Sequence, residues 1–410
     1  MKKTIIAGLA LIVFASCSME SLDSGYMRDG DYYPEAADVA GLPASPGEGG
    51  GDNGGGGQAG VITAGEWCDL DNWDFWGHLM TIEPVGEGEQ QIPDYGKMAA
   101  DWGFNTARRV AVHVKDANGD PVANAKVELL DGNDVLWTAR TSNKGNAQLW
   151  KDLSAPKGQE SGTEGLKVKI DGVLQEGDAV VSTFASAAAV NEYTVTATAP
   201  EKSADVAFIV DATGSMGDEI SFLKQDLLSI LQNVRQSQSG VSLRTGAVFY
   251  RDKGDNYVTR VDNFNTPEKT SAFIKKQSAD GGGDLPEAVH TALEVSLQSL
   301  SWNAKARARM AFLILDAPAH IDHDGVVESL QKSIRLFSES GIRIVPVLCS
   351  TGDKTTEFMC RDFAIVTGGT YVFLTDDSGV GESHLEPTVG EYEVEKLNEL
   401  ICRLIEDYIQ

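Results

Sequence analysis

The chain has 410 residues, with 61 acidic against 34 basic side chains and a formal net charge of −27. That excess argues against nucleic acid, whose phosphates need Lys and Arg to displace counterions, and against electrostatic docking on an anionic membrane surface. The length points to two or three domains, 42% hydrophobic residues suffice for at least one full core, and five Cys are too few for a disulfide-built scaffold.

Residues 1–16 read as a targeting segment. Lys2 and Lys3 precede an apolar run from Ile5 to Phe14, which fits a signal sequence and is too short for a membrane span. Small residues Ala15 and Ser16 lead to Cys17. Phe14-Ala-Ser-Cys17 resembles a bacterial lipobox, with Phe in place of the usual Leu. The resemblance implies cleavage before Cys17 and diacylglycerol on its sulfur; a plain secretory signal with an incidental Cys is the alternative. Two or three acyl chains anchor a protein stably where one does not. Residues 17–60 read as the tether. Positions 18–60 hold twelve Gly, and eight acids against Arg28 alone, so they cannot bury enough apolar area to offset chain entropy. The implied location is the cell envelope: an outer-membrane lipid anchor carrying a periplasmic or surface-exposed protein.

Residues 61–100 are rich in Trp and Asp. Trp67, Trp73 and Trp76 interleave with Asp69, Asp71 and Asp74. A calcium loop of EF-hand type fails because Trp73 takes the third ligand position. A sugar-stacking platform is a second reading. The preferred one is that the Trp rings pack onto the following domain and clamp the end of the tether.

Residues 101–199 predict a β-domain. Val110, Val112 and Val114 alternate with Ala111, His113 and Lys115; Val127 and Leu129, then Ala147 and Leu149, repeat the period of two. Turns at Asp116–Asp120 and Asn143–Gly145 separate them, and Tyr193–Thr198 is the expected last strand. Short antiparallel strands at this spacing predict a sandwich. The stretch from Asp116 to Leu129 resembles a carboxypeptidase regulatory-like or collagen-adhesin B-type repeat, which implies an immunoglobulin-like spacer without a catalytic cluster.

At residues 200–410 the period changes. Val206–Val210 is a continuous apolar strand, as in the buried middle of a parallel sheet. Further strands are expected at Thr245–Tyr250, Ala311–Leu315, Ile342–Leu348 and Tyr371–Leu374, with helices between them. This alternation predicts a Rossmann-like doubly wound α/β domain, whose ligands bind beyond the carboxyl ends of the strands. Asp211 and Asp316 sit at such ends. Asp211, Thr213 and Ser215 share one strand-to-helix turn and present hard oxygen donors, which suit Mg²⁺; nothing there suggests zinc. Asp284 lies on the Gly-rich loop Gly281–Glu287 and reads equally as a ligand or as a helix N-cap.

Asp211-Ala-Thr-Gly-Ser215 resembles the Asp-x-Ser/Thr-x-Ser motif of the von Willebrand factor type A domain. Leu315-Asp-Ala-Pro318 resembles its later metal-site aspartate, and Gly281–Glu287 points to the hemicentin-like branch. Residues 61–80 also resemble a stretch seen before such domains in lipoproteins of Bacteroidetes-like bacteria. The family implies a metal-ion-dependent adhesion site that holds Mg²⁺, or Mn²⁺ or Ca²⁺, through Asp211, Thr213, Ser215, Asp284 and Asp316, with a protein partner's carboxylate completing the shell. Adhesive members usually carry Thr where Asp284 stands. A third carboxylate leaves the centre formally negative, which implies weaker capture of an acidic ligand or a largely structural ion.

Other chemistry is weaker. Thr213–Gly217 lacks the first Gly of a nucleophile elbow, and no Gly-Lys-Ser/Thr phosphate loop occurs. His320-Ile-Asp-His-Asp324 looks like a hydrolase metal cluster, although its place just past Asp316 favours a surface loop. Cys349 and Cys360 can pair in an oxidising compartment or remain buried thiols; with Cys68 and Cys402 there are three connectivities. The leading reading is a non-enzymatic, lipid-anchored binding protein. A structural envelope component with a rigidifying metal comes second, and a hydrolase using His320–Asp324 third.

Overall fold

The computed structural model describes residues 62–410 except 85, 87–91, 157–158, 187, 284 and 379–383. Cys17, the signal segment and the tether therefore lie outside the described residues, as does Asp284. Among the described residues no helix is long and apolar enough to cross a membrane.

The described chain opens with β1 (Thr63–Trp67), α1 (Trp73–Leu79) and α2 (Tyr95–Trp102). Asp94 caps α2 by accepting the Lys97 N–H at 2.7 Å, and Gly103 ends it at φ 67°. Seven strands follow: β2 (Arg109–Lys115), β3 (Lys126–Asp131), β4 (Asp134–Arg140), β5 (Asn146–Trp150), β6 (Lys167–Ile170), β7 (Val173–Leu174) and β8 (Val190–Thr194). They form two sheets, in the orders β5-β2-β8 and β4-β3-β6-β7. The valines at 110, 112 and 114 point inward, as do Val127, Leu129, Ala147 and Leu149. At the first turn Asp116 Oδ1 accepts the N–H groups of Asn118 and Asp120 at 2.8 and 3.0 Å, an Asx-type closure. Two details differ from the expectation. β8 runs parallel to β2, because the chain between them makes a long excursion and returns in the same direction. It also ends at Thr194 rather than Thr198, since β2 offers no further ladder past Lys115.

The remaining elements are β9 (Glu201–Asp211), α3 (Gly217–Ser237), β10 (Ser242–Tyr250), β11 (Thr259–Asn265), α4 (Pro267–Ile274), α5 (Val289–Ser299), β12 (Ala306–Leu315), α6 (Val326–Ser340), β13 (Arg343–Leu348), α7 (Lys354–Thr367), β14 (Tyr371–Thr375), β15 (Glu395–Lys396) and α8 (Leu397–Ile409). Their sheet runs β11-β10-β9-β12-β13-β14-β1-β15. It is mixed rather than wholly parallel. Strands β10, β9, β12, β13 and β14 are parallel; β11 and β1 are antiparallel to their neighbours, and β15 is antiparallel to β1.

Alternate residues of the central strands feed two cores. Val206, Phe208 and Val210 of β9 and Met310, Phe312 and Ile314 of β12 join α3 and α8. Ala207 and Ile209, with Ala311, Leu313 and Leu315, face α5, α6 and α7. Covering both faces is why these strands read as unbroken apolar runs. Helix α6 buries Val326, Leu330, Ile334 and Phe337, one stripe at helical spacing.

The seven-stranded unit docks directly on that second core, and its apolar residues are continuous with it. Trp137 Nε1 donates to Ser338 Oγ at 3.1 Å and Trp150 Nε1 to the Val366 carbonyl at 3.3 Å. Trp67, Trp73 and Trp76 are buried at the same junction. Asp69 is not arranged as a calcium ligand: its two oxygens receive Arg361 Nε and Nη2 at 2.9 and 2.6 Å. Burial alone would pull Arg361 down, and the Asp69 carboxylate reverses this and holds the guanidinium above its ordinary value. Cys349 and Cys360 are separate buried thiols, not a disulfide. Cys349 belongs to the core of α3 and α8, whereas Cys360 on α7 belongs to the other.

Removing one partner of a buried charge pair strands the other in a low dielectric, at a cost of about 3–5 kcal/mol. Asp69→Ala is expected to destabilise the chain by that order in urea unfolding. Asp69→Leu combined with Arg361→Met is expected to be less damaging than Asp69→Ala, because both charges of the pair are removed and Glu357, which also meets Arg361, keeps Lys354 at 2.9 Å.

Candidate metal centre

The strand order reverses at β9. The chain leaves β9 for β10 on one side and later returns to β12 on the other, which opens a crevice at their carboxyl ends. The pairing of Ile314 with Val210 sets Asp211 level with Leu315, so Asp316 stands one residue beyond it. Asp211 is fully buried. Its Oδ1 accepts the Thr213 N–H at 2.9 Å and the Thr213 hydroxyl at 2.7 Å. A 3₁₀ turn over Gly214–Met216 then lifts Ser215 to the solvent side, immediately before α3. Asp316 Oδ2 accepts the Thr351 hydroxyl at 3.1 Å. Thr351 holds φ 66° to reach it, a conformation uncommon for a β-branched residue.

Two more carboxylates, not singled out from the sequence, join these. Glu219, in the first turn of α3, is buried and accepts the Ser350 hydroxyl at 3.0 Å. Glu287 is also buried, and its N–H donates to the Pro318 carbonyl at 2.8 Å, which ties it to the loop after Asp316. The Gly-rich loop crosses the turn closely. The Gly214 N–H donates to the Gly281 carbonyl at 3.1 Å, and a Cβ at Gly282 would stand 3.1 Å from Thr213 Cβ. Gly281 and Gly282 take φ 77° and 72°, conformations suited to Gly. Arg251 pins the base: Nε donates to the Ala212 carbonyl at 2.9 Å and Nη2 to the Ser278 carbonyl at 2.8 Å.

The four acids share one anomaly. Asp211 Oδ2, Glu219 Oε2, Glu287 Oε2 and Asp316 Oδ1 are buried without a hydrogen-bond partner among the described residues. Burial, reinforced by the Asp316 charge, pushes Asp211 up to about 7. Burial and the charges of Asp211, Asp252, Asp255 and Asp316 push Glu287 up to about 9. Burial raises Glu219 and Asp316 as well, the latter against the Ser215 and Thr351 hydroxyls. Unpaired carboxylate oxygens beside hydroxyls are the donor set of a hard divalent cation, so Asp211, Thr213, Ser215 and Asp316 fit such an ion, with Glu219 and Glu287 in the surround. The structure thus brings Asp211, Thr213, Ser215 and Asp316 together and adds Glu219 and Glu287. The signal for Glu287 was its place on the loop that carries Asp284.

Residues 205–378 match the von Willebrand factor A domain. Domains of this kind often bind a divalent metal and generally mediate protein interactions and adhesion. One curated relative, the α-protein kinase vwkA of Dictyostelium discoideum, is 31% identical over 119 residues, which cover 28% of this chain and 19% of the kinase. The chain therefore spans less than a fifth of that relative. Among solved structures, the pilus adhesin SpaC of Lactobacillus rhamnosus GG is similar at 11% identity and a TM-score of 0.33, over 42% of this chain and 28% of SpaC. Proximal thread matrix protein 1 of the mussel byssus is similar at 14% identity and a TM-score of 0.30, over 42% of this chain and 41% of that one.

Acids whose folded pKa is raised bind more protons folded than unfolded. Their contribution to stability is present at low pH and is lost as pH rises through the folded values. The metal-free chain is therefore expected to lose thermal stability between about pH 4 and pH 9, with Asp211 titrating near 7 and Glu287 near 9. Millimolar Mg²⁺ is expected to flatten that decline, and Mg²⁺ affinity to rise with pH as binding displaces the protons. Melting curves across pH, with Mg²⁺ and with chelator, measure both.

Proposed function

We propose that this chain is a non-enzymatic, lipid-anchored envelope protein that binds a protein partner through a Mg²⁺-dependent adhesion site. The observation that carries the reading is the set of orphaned, buried carboxylate oxygens at the ends of β9 and β12, opening to solvent past Ser215. In this reading Asp211, Thr213, Ser215 and Asp316 hold the ion, and Asp284, outside the described residues, is the further ligand implied by the sequence motif. Glu219 and Glu287 complete the acidic surround. When bound, Mg²⁺ supplies a Lewis-acidic position for a carboxylate from the partner.

The chain's own residues do the rest. The Thr213 N–H and hydroxyl fix the Asp211 carboxylate, Thr351 fixes Asp316, and Arg251 holds the loops on which they ride. Ser215 stands on the exposed side, where a partner approaches. Cys17 is the proposed attachment point for diacylglycerol, at an outer membrane with the folded part periplasmic or surface-exposed. The seven-stranded unit is read as immunoglobulin-like. Its docking on α6 and α7 favours a fixed platform over a free spacer.

Ser215→Ala and Asp316→Ala are expected to reduce Mg²⁺ uptake in calorimetry by at least about tenfold each, while the fold is retained. Crosslinked pull-down from intact cells in Mg²⁺ is expected to recover a partner that chelator and Ser215→Ala both release. A partner kept after the metal is stripped would instead favour a purely structural ion. Asp284→Thr removes one negative charge from the centre and is expected to tighten binding of an acidic peptide in Mg²⁺. Helix α5 begins at Val289 with Ala288 in the N-cap position, so the sequence-based expectation of Asp284 as its cap does not hold; unchanged Mg²⁺ and peptide affinity would show that Asp284 takes no part in the centre.

A further inference from the structure

The loop after Asp316 carries a second donor set of different chemistry. His320, Asp322 and His323 each place a ligand atom within 4.8 Å of the others. A tight turn imposes the spacing: the Ile321 N–H donates to the Ala319 carbonyl at 2.8 Å, and the His323 N–H to the His320 carbonyl at 3.1 Å. The His320 and His323 rings lie parallel, 4.4 Å apart at 5° between planes. His320 is buried and its Nε2 stands 3.0 Å from Asp252 Oδ1. A carboxylate behind an imidazole is how metal-binding histidines are commonly oriented and their tautomer selected. Asp322 and His323 are exposed, and the His323 ring rests against that of His320. Metal–ligand bonds of about 2.1 Å require a ligand separation of about 3.4 Å in a tetrahedron, so an ion would be held only with the His323 ring turned out of its stack on His320.

We propose that His320, Asp322 and His323 form a second metal site, selective for a borderline divalent cation such as Zn²⁺ and open to solvent on one side. Two imidazoles and one carboxylate favour zinc-like ions over Mg²⁺, which prefers oxygen donors alone. The site is independent of the Mg²⁺ reading, because none of its three residues belongs to that donor set. Its consequence is to lock the loop beside Asp316 and to leave a coordination position for a partner's side chain.

Co²⁺, a visible-absorbing substitute for Zn²⁺, tests this on the full chain without a histidine tag and in millimolar Mg²⁺. The expected result is uptake of one Co²⁺ at micromolar concentration, with d–d bands and no sulfur-to-cobalt charge-transfer band. His323→Ala, at an exposed position, is expected to weaken it by at least about tenfold, and Asp252→Asn by about 10–100-fold. Ser215→Ala is expected to lose Mg²⁺ and keep Co²⁺, which separates failure of one site from failure of the other. No uptake under these conditions, uptake unchanged in His323→Ala, or a strong thiolate band pointing to Cys68 or Cys402 would each overturn the proposal.

Discussion

Buried negative charge without a fixed counter-charge is the constraint around which the von Willebrand factor A domain is built. Asp211, Glu219, Glu287 and Asp316 converge where β9 and β12 end, and each keeps one oxygen without a hydrogen-bond partner among the described residues. Left alone, such a cluster disfavours ionisation through desolvation and mutual repulsion. The surrounding chain keeps the acids in place despite this. Thr213, Ser350 and Thr351 each engage one carboxylate through a hydroxyl. Arg251 bonds carbonyls instead of neutralising the acids directly, so it orders the loops without satisfying the cluster. Geometry fixed by neutral donors, with charge left over, is what a site needs if an exchangeable cation is to complete it.

The second core provides rigidity of a different kind. The two-sheet unit, the Trp-rich segment and the face formed by α6 and α7 share one continuous apolar interior. Within it the Asp69–Arg361 pair is satisfied at both oxygens, in contrast to the unsatisfied acids at the strand ends. At Asp69 a buried guanidinium answers the carboxylate, whereas the acids at the strand ends have no such partner among the described residues. With that face covered, the loops at the carboxyl ends of β9, β10 and β12 remain open, exposing Ser215, Gly281 and His323.

What was legible in the sequence follows from how local each signal is. Val206–Val210 could be recognised as a strand covered on both faces because burial of both sides erases alternation. Asp211, Thr213 and Ser215 could be grouped because one turn joins them. Glu219 and Glu287 could not, since a single Glu near a helix start reads as a favourable partner of the helix dipole, and only tertiary packing buries these two. β1 was hidden for a related reason. Its partner is distant, with Thr63 paired to Thr375, and its five residues were read with the Trp and Asp pattern that follows them. β11 alternates Arg260, Asp262 and other polar residues at a sheet edge, so it lacked the apolar run that marked its neighbours. The parallel return of β8 was likewise invisible to a period-two pattern, which reports the inward face but not the direction of the chain.

The position of β1 has a mechanical corollary. It precedes the two-sheet unit in the chain, yet it is hydrogen-bonded into the large sheet between β14 and β15. The seven strands from Arg109 to Thr194 are thus an insertion, in chain order, between the first strand of that sheet and the next, docked on its second core. Tension applied to the backbone ahead of Thr63 enters the large sheet at β1 and is shared along its five paired residues with β14. Because the chain continues from β1 through α1 and α2 into the inserted strands, a pull along it meets the β1 pairing before it meets them.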